Sequence, residues 1–312
     1  MTSDQVALAT GRRRGAYCQA ALALAVLLAA AYLARRHWPL LHTGAVRLAV
    51  ADHGWLLLAA AAAGGTWVCA ALAQQGAVTR RLPSGRLLAA QFAATAANHM
   101  LPAGLGAGAV NLRFLMRCGL TPARSATALA VKATAGVVVR AALIAVLTAA
   151  CPGFLRLPRL SGGVVAAAAA VALPAAGLVL WPRCRRALVA VLADIRAVHV
   201  RRGRAVALWG GSLAFVVLHS LVLIAVTRAV ALPLAPARVT LLYLAASSAA
   251  ALLPTPGGLG SLDAALALAL TVAGAPAAAA ASVVLGYRLL TVWLPLLPGL
   301  LVLGVLVRRK AL

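Results

Sequence analysis

Residues 254–260, Pro-Thr-Pro-Gly-Gly-Leu-Gly, cut through an otherwise apolar stretch of the chain. The apolar segments beside them, 239–253 and 261–274, are 15 and 14 residues long. A helix needs about 20 residues to cross a bilayer core. Prolines and glycines at this density end a helix on both sides. Backbone freed at membrane depth must be satisfied by protein or by a water-lined cavity. These residues therefore predict a re-entrant hairpin whose tip lies near the midplane and lines a site.

Composition places the hairpin in a membrane protein. The chain is 64% hydrophobic and 11% charged, with a mean hydropathy of +0.98. That lies outside the range of soluble domains and predicts an all-α, polytopic fold forming one integral membrane domain over residues 1–312. The longest stretch not plainly membrane-bound is 182–204, too short for a soluble catalytic domain. Net charge is +25, and the four acids are Asp4, Asp52, Asp194 and Asp263. This balance suits an anionic lipid surface or an anionic lipid or lipid-linked substrate, and much of it also reads as a topology signal. No nucleic-acid partner is expected, and protein partners are left open. The five cysteines are scattered without disulfide or metal spacing, so no metal or cofactor is expected.

Full spans are expected at 16–34, 54–73, 122–150, 161–181, 205–230 and 275–307, with a polar loop at 35–53 and an amphipathic link at 182–204. A second short segment, 87–101, runs into Asn98-His99-Met100-Leu101-Pro102-Ala103-Gly104-Leu105-Gly106. Gly104-Leu105-Gly106 recurs as Gly258-Leu259-Gly260, and Thr121-Pro122 as Ala275-Pro276, both at an offset of 154. The order of long span, short hairpin and long span is also shared, which suggests repeats over about 54–150 and 205–307. Six full spans plus two re-entrant hairpins put both termini on one side. With that side cytoplasmic, basic residues divide 19 inside to 7 outside, following the positive-inside rule in a cell membrane. The hairpins then enter from opposite faces and the repeats are inverted.

One family carries this pattern. The run Leu253-Pro254-Thr255-Pro256-Gly257-Gly258-Leu259-Gly260-Ser261-Leu262-Asp263-Ala264, then Gly274-Ala275-Pro276, Tyr287-Arg288-Leu289-Leu290 and Trp293-Leu294-Pro295, resembles the flippase-like proteins related to the transmembrane portion of lysylphosphatidylglycerol synthase. The resemblance implies translocation of a lipid or lipid-linked headgroup. It also places Asp263 where the family usually has Glu, and matches Arg288 to the family's Arg on the next helix. The first half departs: where an acidic–Arg pair is usual, this chain reads Val131-Lys132-Ala133. Synthase members also carry a soluble aminoacyl-transferase domain, which no segment of this sequence is long enough to hold.

The candidate site gathers the glycine tips (Gly104, Gly106, Gly257, Gly258, Gly260), the intramembrane cations Lys132, Arg140 and Arg288, and Asp263, Asn98 and His99. Half-helix N-termini at the tips offer free N–H groups and a positive dipole to an anion. The same glycines equally permit tight turns and close helix packing. A cation at a helix centre costs about 2.5–3.5 kcal/mol even on the mildest scale, so these three should face the bundle interior. Lys132 and Arg140 lie eight residues apart, about 80° around a helix and roughly 12 Å along it, along one wall. Asp263 either pairs with Arg288 or complements the dipole of its own helix, and the two are compatible. Asn98 and His99 either contact a headgroup or are satisfied internally, and His219 reads as a helix–helix hydrogen-bonding residue.

The expected activity is a flippase for an anionic headgroup at a midplane cationic site, without catalytic residues. Alternatives are a scaffold or regulator of envelope lipid synthesis, a transporter of a small anion, and an intramembrane transferase. The last usually needs paired carboxylates, which a single buried Asp does not supply.

Overall fold

The computed structural model describes residues 38–100, 105–150, 201–251 and 260–309. Among them the regular elements are helices: α1 (Trp38–Ala49), α2 (His53–Gly76), α3 (Ser84–Met100), α4 (Leu105–Arg117), α5 (Pro122–Ala150), α6 (Arg202–Ala229), α7 (Pro236–Ala251), α8 (Ser261–Val272), α9 (Ala277–Arg288) and α10 (Leu294–Arg308). Four stretches are long and apolar enough to cross a bilayer, namely α2, α5, α6 and the continuous run Ala277–Arg308. The chain is a multi-pass membrane protein. The spans expected at 16–34 and 161–181, and most of the link 182–204, lie outside the described residues.

One expectation fails. Residues 38–49 form a helix where a polar loop was expected. Pro39 at the second position suits a helix start, and Leu48 packs against Gly286 of α9. Short loops then close the gap: the Asp52 carboxylate accepts from the N–H groups of Gly54 (2.7 Å) and Trp55 (3.3 Å) and caps α2.

The α2–α6 seam is the most extensive helix pairing in the described residues. It is built from small residues that let two backbones approach. A Cβ on Gly211 would sit 2.7 Å from the Ala73 nitrogen, and one on Gly76 2.7 Å from the Leu208 Cα. Gly65 likewise meets Leu218. The contacts run 65 to 218, 73 to 211 and 76 to 208, so the helices are antiparallel. Hydrogen bonds hold both ends of the seam: the Asp52 N–H donates to the Ala229 carbonyl (3.1 Å), and Arg204 Nη1 to the Val78 carbonyl (3.0 Å).

The paired long helices α2 and α6 are each followed by two shorter ones packed on each other, α3 with α4 and α7 with α8. The second arms end alike. In α4, Leu120 N–H bonds the Leu115 carbonyl (3.2 Å) and Gly119 N–H the Met116 carbonyl (2.9 Å); in α8, Ala275 bonds Leu270 (3.0 Å) and Gly274 bonds Thr271 (2.9 Å). Gly119 and Gly274 have φ of 88° and 92°. This is one Schellman cap used twice, with glycine in the left-handed position that side chains resist.

The run from α9 to α10 passes through a π-helical turn at Leu289–Trp293. Pro295 lacks an N–H and its ring crowds the carbonyl four residues back, so a widened turn relieves the helix there. Past this turn Gly299 lies against Phe92 and Ala96 of α3. Leu303 and Leu306 continue onto the cluster of Val78, Leu82 and Leu87.

The seam yields a paired prediction. Gly211→Ala is expected to destabilise the detergent-purified protein by about 1–3 kcal/mol through overpacking. Gly210→Ala, with nothing within 4 Å of the added Cβ, should leave the melting temperature unchanged or slightly raised. Equal melting temperatures for the two variants would refute the close seam.

Candidate functional site

Where the hairpins meet α5 and the α2–α6 pair, the helices leave a cavity of about 930 Å³. Its wall takes Gln74 from α2, Gln91 and Asn98 from α3, Asn111 from α4, Lys132 and Arg140 from α5, His219 from α6, Tyr243 from α7, and Tyr287 and Arg288 from α9. The three intramembrane cations singled out in the sequence therefore open into one space.

Carboxamides make the first half of that wall. Lys132 Nζ donates to Gln91 Oε1 (2.9 Å), Gln91 Nε2 to Asn111 Oδ1 (2.7 Å), and Asn111 Nδ2 to the Ala107 carbonyl (2.9 Å). This relay ties α5, α3 and α4 together and fixes each amide's orientation, because each acceptor is spoken for. Gln91 and Asn111 are buried, at 4% and 7% exposure.

The second half uses a carboxylate instead. Arg288 Nε is hydrogen-bonded and ion-paired with Asp263 Oδ1, and Asp263 Oδ2 accepts from the Gly260 N–H at 2.9 Å. Asp263 thus does both things open to it: it holds Arg288 and caps α8. The Arg288 side chain is 6% exposed and Asp263 32%, so the pair sits at the edge of the buried wall. Arg140 Nη1 reaches across to Ser247 Oγ of α7 (3.1 Å). His219 Nδ1 lies 3.0 Å from Tyr287 Oη, and its ring stacks over Tyr243 with centroids 6.0 Å apart, making the helix-to-helix contact expected of it.

Lys132 and Arg288 occupy matching places, each 27 residues after the first residue of α4 or α8. Asp263 is the third residue of α8; the third residue of α4 is Ala107. Beside Lys132 a neutral amide relay stands where Arg288 has a carboxylate. Lys132 and Arg140 are left with neutral hydrogen-bond partners, and the wall carries a net positive charge.

The glycine tips divide. Gly260 takes a φ of 83°, so there the glycine serves conformation. Gly106 serves packing: a Cβ on it would lie 2.8 Å from the Asn98 nitrogen and closer still to the Ala97 carbonyl. Its missing Cβ lets α4 pack closely on α3 there, the packing use open to these glycines. Ala107 and Gly108 line the cavity beside it. His99 also lies on the wall. Gly104, Gly257 and Gly258 fall outside the described residues.

Sequence reasoning passed over Gln74, Gln91, Asn111, Tyr243 and Tyr287. A signal was there: the chain has only seven Asn and Gln residues, and five of them stand between positions 74 and 111. Polar amides that scarce in apolar helices mark an interior face.

Among the described residues no group of three or more His, Cys, Asp or Glu is placed to hold a metal ion. A family model described as the lysylphosphatidylglycerol synthase TM region matches residues 18–299. A search of curated proteins finds no match.

The double duty of Asp263 is separable. Asp263→Asn keeps an oxygen for the cap and loses the charge; Asp263→Ala loses both. Thermal unfolding should rank wild type above Asn and Asn above Ala, the last step being about 1 kcal/mol. In an Arg288→Gln background the wild-type-to-Asn step should shrink. An unchanged step would mean that the ion pair contributes nothing.

Proposed function

The chain belongs to the family of the lysylphosphatidylglycerol synthase transmembrane region, and on that premise we propose that it translocates the headgroup of an anionic lipid or lipid-linked molecule. One observation carries this: Lys132 and Arg140 face a cavity of about 930 Å³ inside the membrane domain, with Gln91 and Ser247 as their hydrogen-bond partners among the described residues. Cations left without a carboxylate at membrane depth are costly, and a passing phosphate offsets that cost. The volume falls in the roughly 300–1,000 Å³ range of small-molecule sites.

The architecture supports alternating access. We read α2–α5 and α6–α10 as inverted repeats, each a long span, a re-entrant hairpin and a second long span. Three features favour the reading. The lead spans α2 and α6 are antiparallel, the hairpins share one terminal cap, and α3–α4 start and end beside the C-terminus of α2 as α7–α8 do beside that of α6. Charge favours an orientation too. Arg80, Arg81, Arg86, Arg113, Arg117, Arg124, Arg201, Arg202, Arg204, Arg308 and Arg309 gather at the end where α2 stops, against Arg47, Arg228 and Arg238 at the other. The crowded end is cytoplasmic on the positive-inside rule. Both chain termini then lie in the cytoplasm, with the hairpins dipping in from opposite faces and six spans in all.

The reading is of a translocator and not of an enzyme. Intramembrane group transfer draws on paired carboxylates, and Asp263, the acid described at this site, is engaged by Arg288.

Two experiments test this. In proteoliposomes, the purified chain should accelerate flipping of labelled anionic lipid, and Lys132→Ala with Arg140→Ala should slow it at least about tenfold, the worth of roughly 1.4 kcal/mol. Equal rates in protein-containing and empty liposomes count against translocation. For topology, single cysteines are placed in an otherwise cysteine-free chain, one at native Cys118 and one by Ala235→Cys. They should label from opposite sides with a membrane-impermeant maleimide. Burial raises the Cys118 thiol pKa, partly countered by Arg80 and Arg86, so labelling is best run at mildly alkaline pH. Labelling of both from one side would end the inverted reading.

A further inference from the structure

Four of the seven carboxamides in the chain, Gln74, Gln91, Asn98 and Asn111, line the one cavity, and none follows position 111. They come from α2, α3 and α4 and share the wall with Lys132. Two of them hold each other and Lys132 through the relay described above. The others are unsatisfied. Gln74 is fully buried, at 0% exposure, and among the described residues neither its Oε1 nor its Nε2 has a hydrogen-bond partner; Asn98 Oδ1 is likewise buried without one.

Leaving a buried amide unpartnered forfeits the hydrogen bonds it made to water when unfolded. Stability alone would favour Leu or Met at position 74, so the amide is costly unless something in the cavity bonds to it. What bonds a carboxamide with both its donor and its acceptor is a group that both donates and accepts; water does so, and of the functions a lipid headgroup carries, so does an alcohol. Charge narrows the occupant further. Lys132 and Arg140 repel an ammonium group, while the one carboxylate described here, Asp263, is held by Arg288.

We propose that the first-repeat half of the cavity recognises a hydroxylated phosphate ester, with the phosphate against Lys132 and Arg140 and the alcohols on Gln74 and Asn98, and that it discriminates against aminoacylated, cationic headgroups. The proposal rests on the translocator reading and names its cargo: glycerol-, inositol- or sugar-bearing phospholipid. It separates this chain from the lysine-bearing lipid in its family's name.

The test is binding, read apart from transport. The detergent-purified full chain is titrated by native mass spectrometry with phosphatidylglycerol, phosphatidylinositol, phosphatidic acid and lysylphosphatidylglycerol of one acyl composition. The two hydroxylated lipids should bind at least about tenfold tighter than phosphatidic acid, and the lysyl lipid weakest. Gln74→Met, near in volume, should collapse the preference over phosphatidic acid. Gln74→Glu should raise binding of the lysyl lipid, a gain that misfolding cannot mimic. Phosphatidic acid or the lysyl lipid binding as tightly as phosphatidylglycerol would overturn the proposal, as would an unchanged preference in Gln74→Met. Free glycerol 3-phosphate binding as tightly as phosphatidylglycerol would overturn the lipid assignment. A headgroup preference without flipping in liposomes sinks translocation and keeps the recognition site; flipping without preference does the reverse.

Discussion

Hydrocarbon gives a backbone no water to bond, so every polar main-chain group must find a partner within the protein. Helices meet that demand along their length, and the difficulty moves to their ends and to how they associate. In this chain association centres on Gly76 and Gly211, where α2 and α6 come close enough for main chain to meet main chain, and on Gly65, which receives the Leu218 side chain. Lipid tails are as apolar as leucine, so burying leucine would not hold the helices together; close dispersion contact does. The antiparallel seam brings the C-terminus of α2 and the C-terminus of α6 to opposite ends of the bundle. Each is followed by a pair of short helices, and the cavity lies where those pairs reach toward each other.

The two halves of the cavity solve the same electrostatic problem differently. At the second hairpin a guanidinium and a carboxylate neutralise each other, and the carboxylate also completes the helix cap. At the first, the matching cation is fed into a run of amides, which orient it and leave its charge standing. The asymmetry leaves one half of the wall near neutral and the other positively charged. The π-helical turn after Arg288 keeps the same helix able to continue past Pro295 while Thr291 and Val292 still meet the cavity.

Much of this was legible residue by residue. Pro122 and Ala150 bound α5 where the apolar run begins and ends, because proline at a first helical turn and apolar length are local signals. The pairing of Asp263 with Arg288 was also legible, since an acid and a base alone in apolar surroundings have few other partners. The helix at Trp38–Ala49 was not. Its polar and basic residues read as a loop, and only packing on α9 through Leu48 explains it. Gly106 shows the limit of motif reasoning: the letters do not reveal its tight contact with Ala97, which depends on how α4 lies on α3.

Hydropathy and span length by themselves determined that this is a multi-pass helical membrane protein with short, broken helix pairs between long spans. Those properties follow from bilayer thickness and from the conformations open to proline and glycine, which act within a few residues. Which cations stand without a carboxylate, and that Gln74, Gln91, Asn98 and Asn111 converge on one space, only the tertiary structure decided. Residues from α2, α3, α4 and α5 meet there through helix crossings, and no local pattern encodes the distance between side chains 41 residues apart, as Lys132 and Gln91 are.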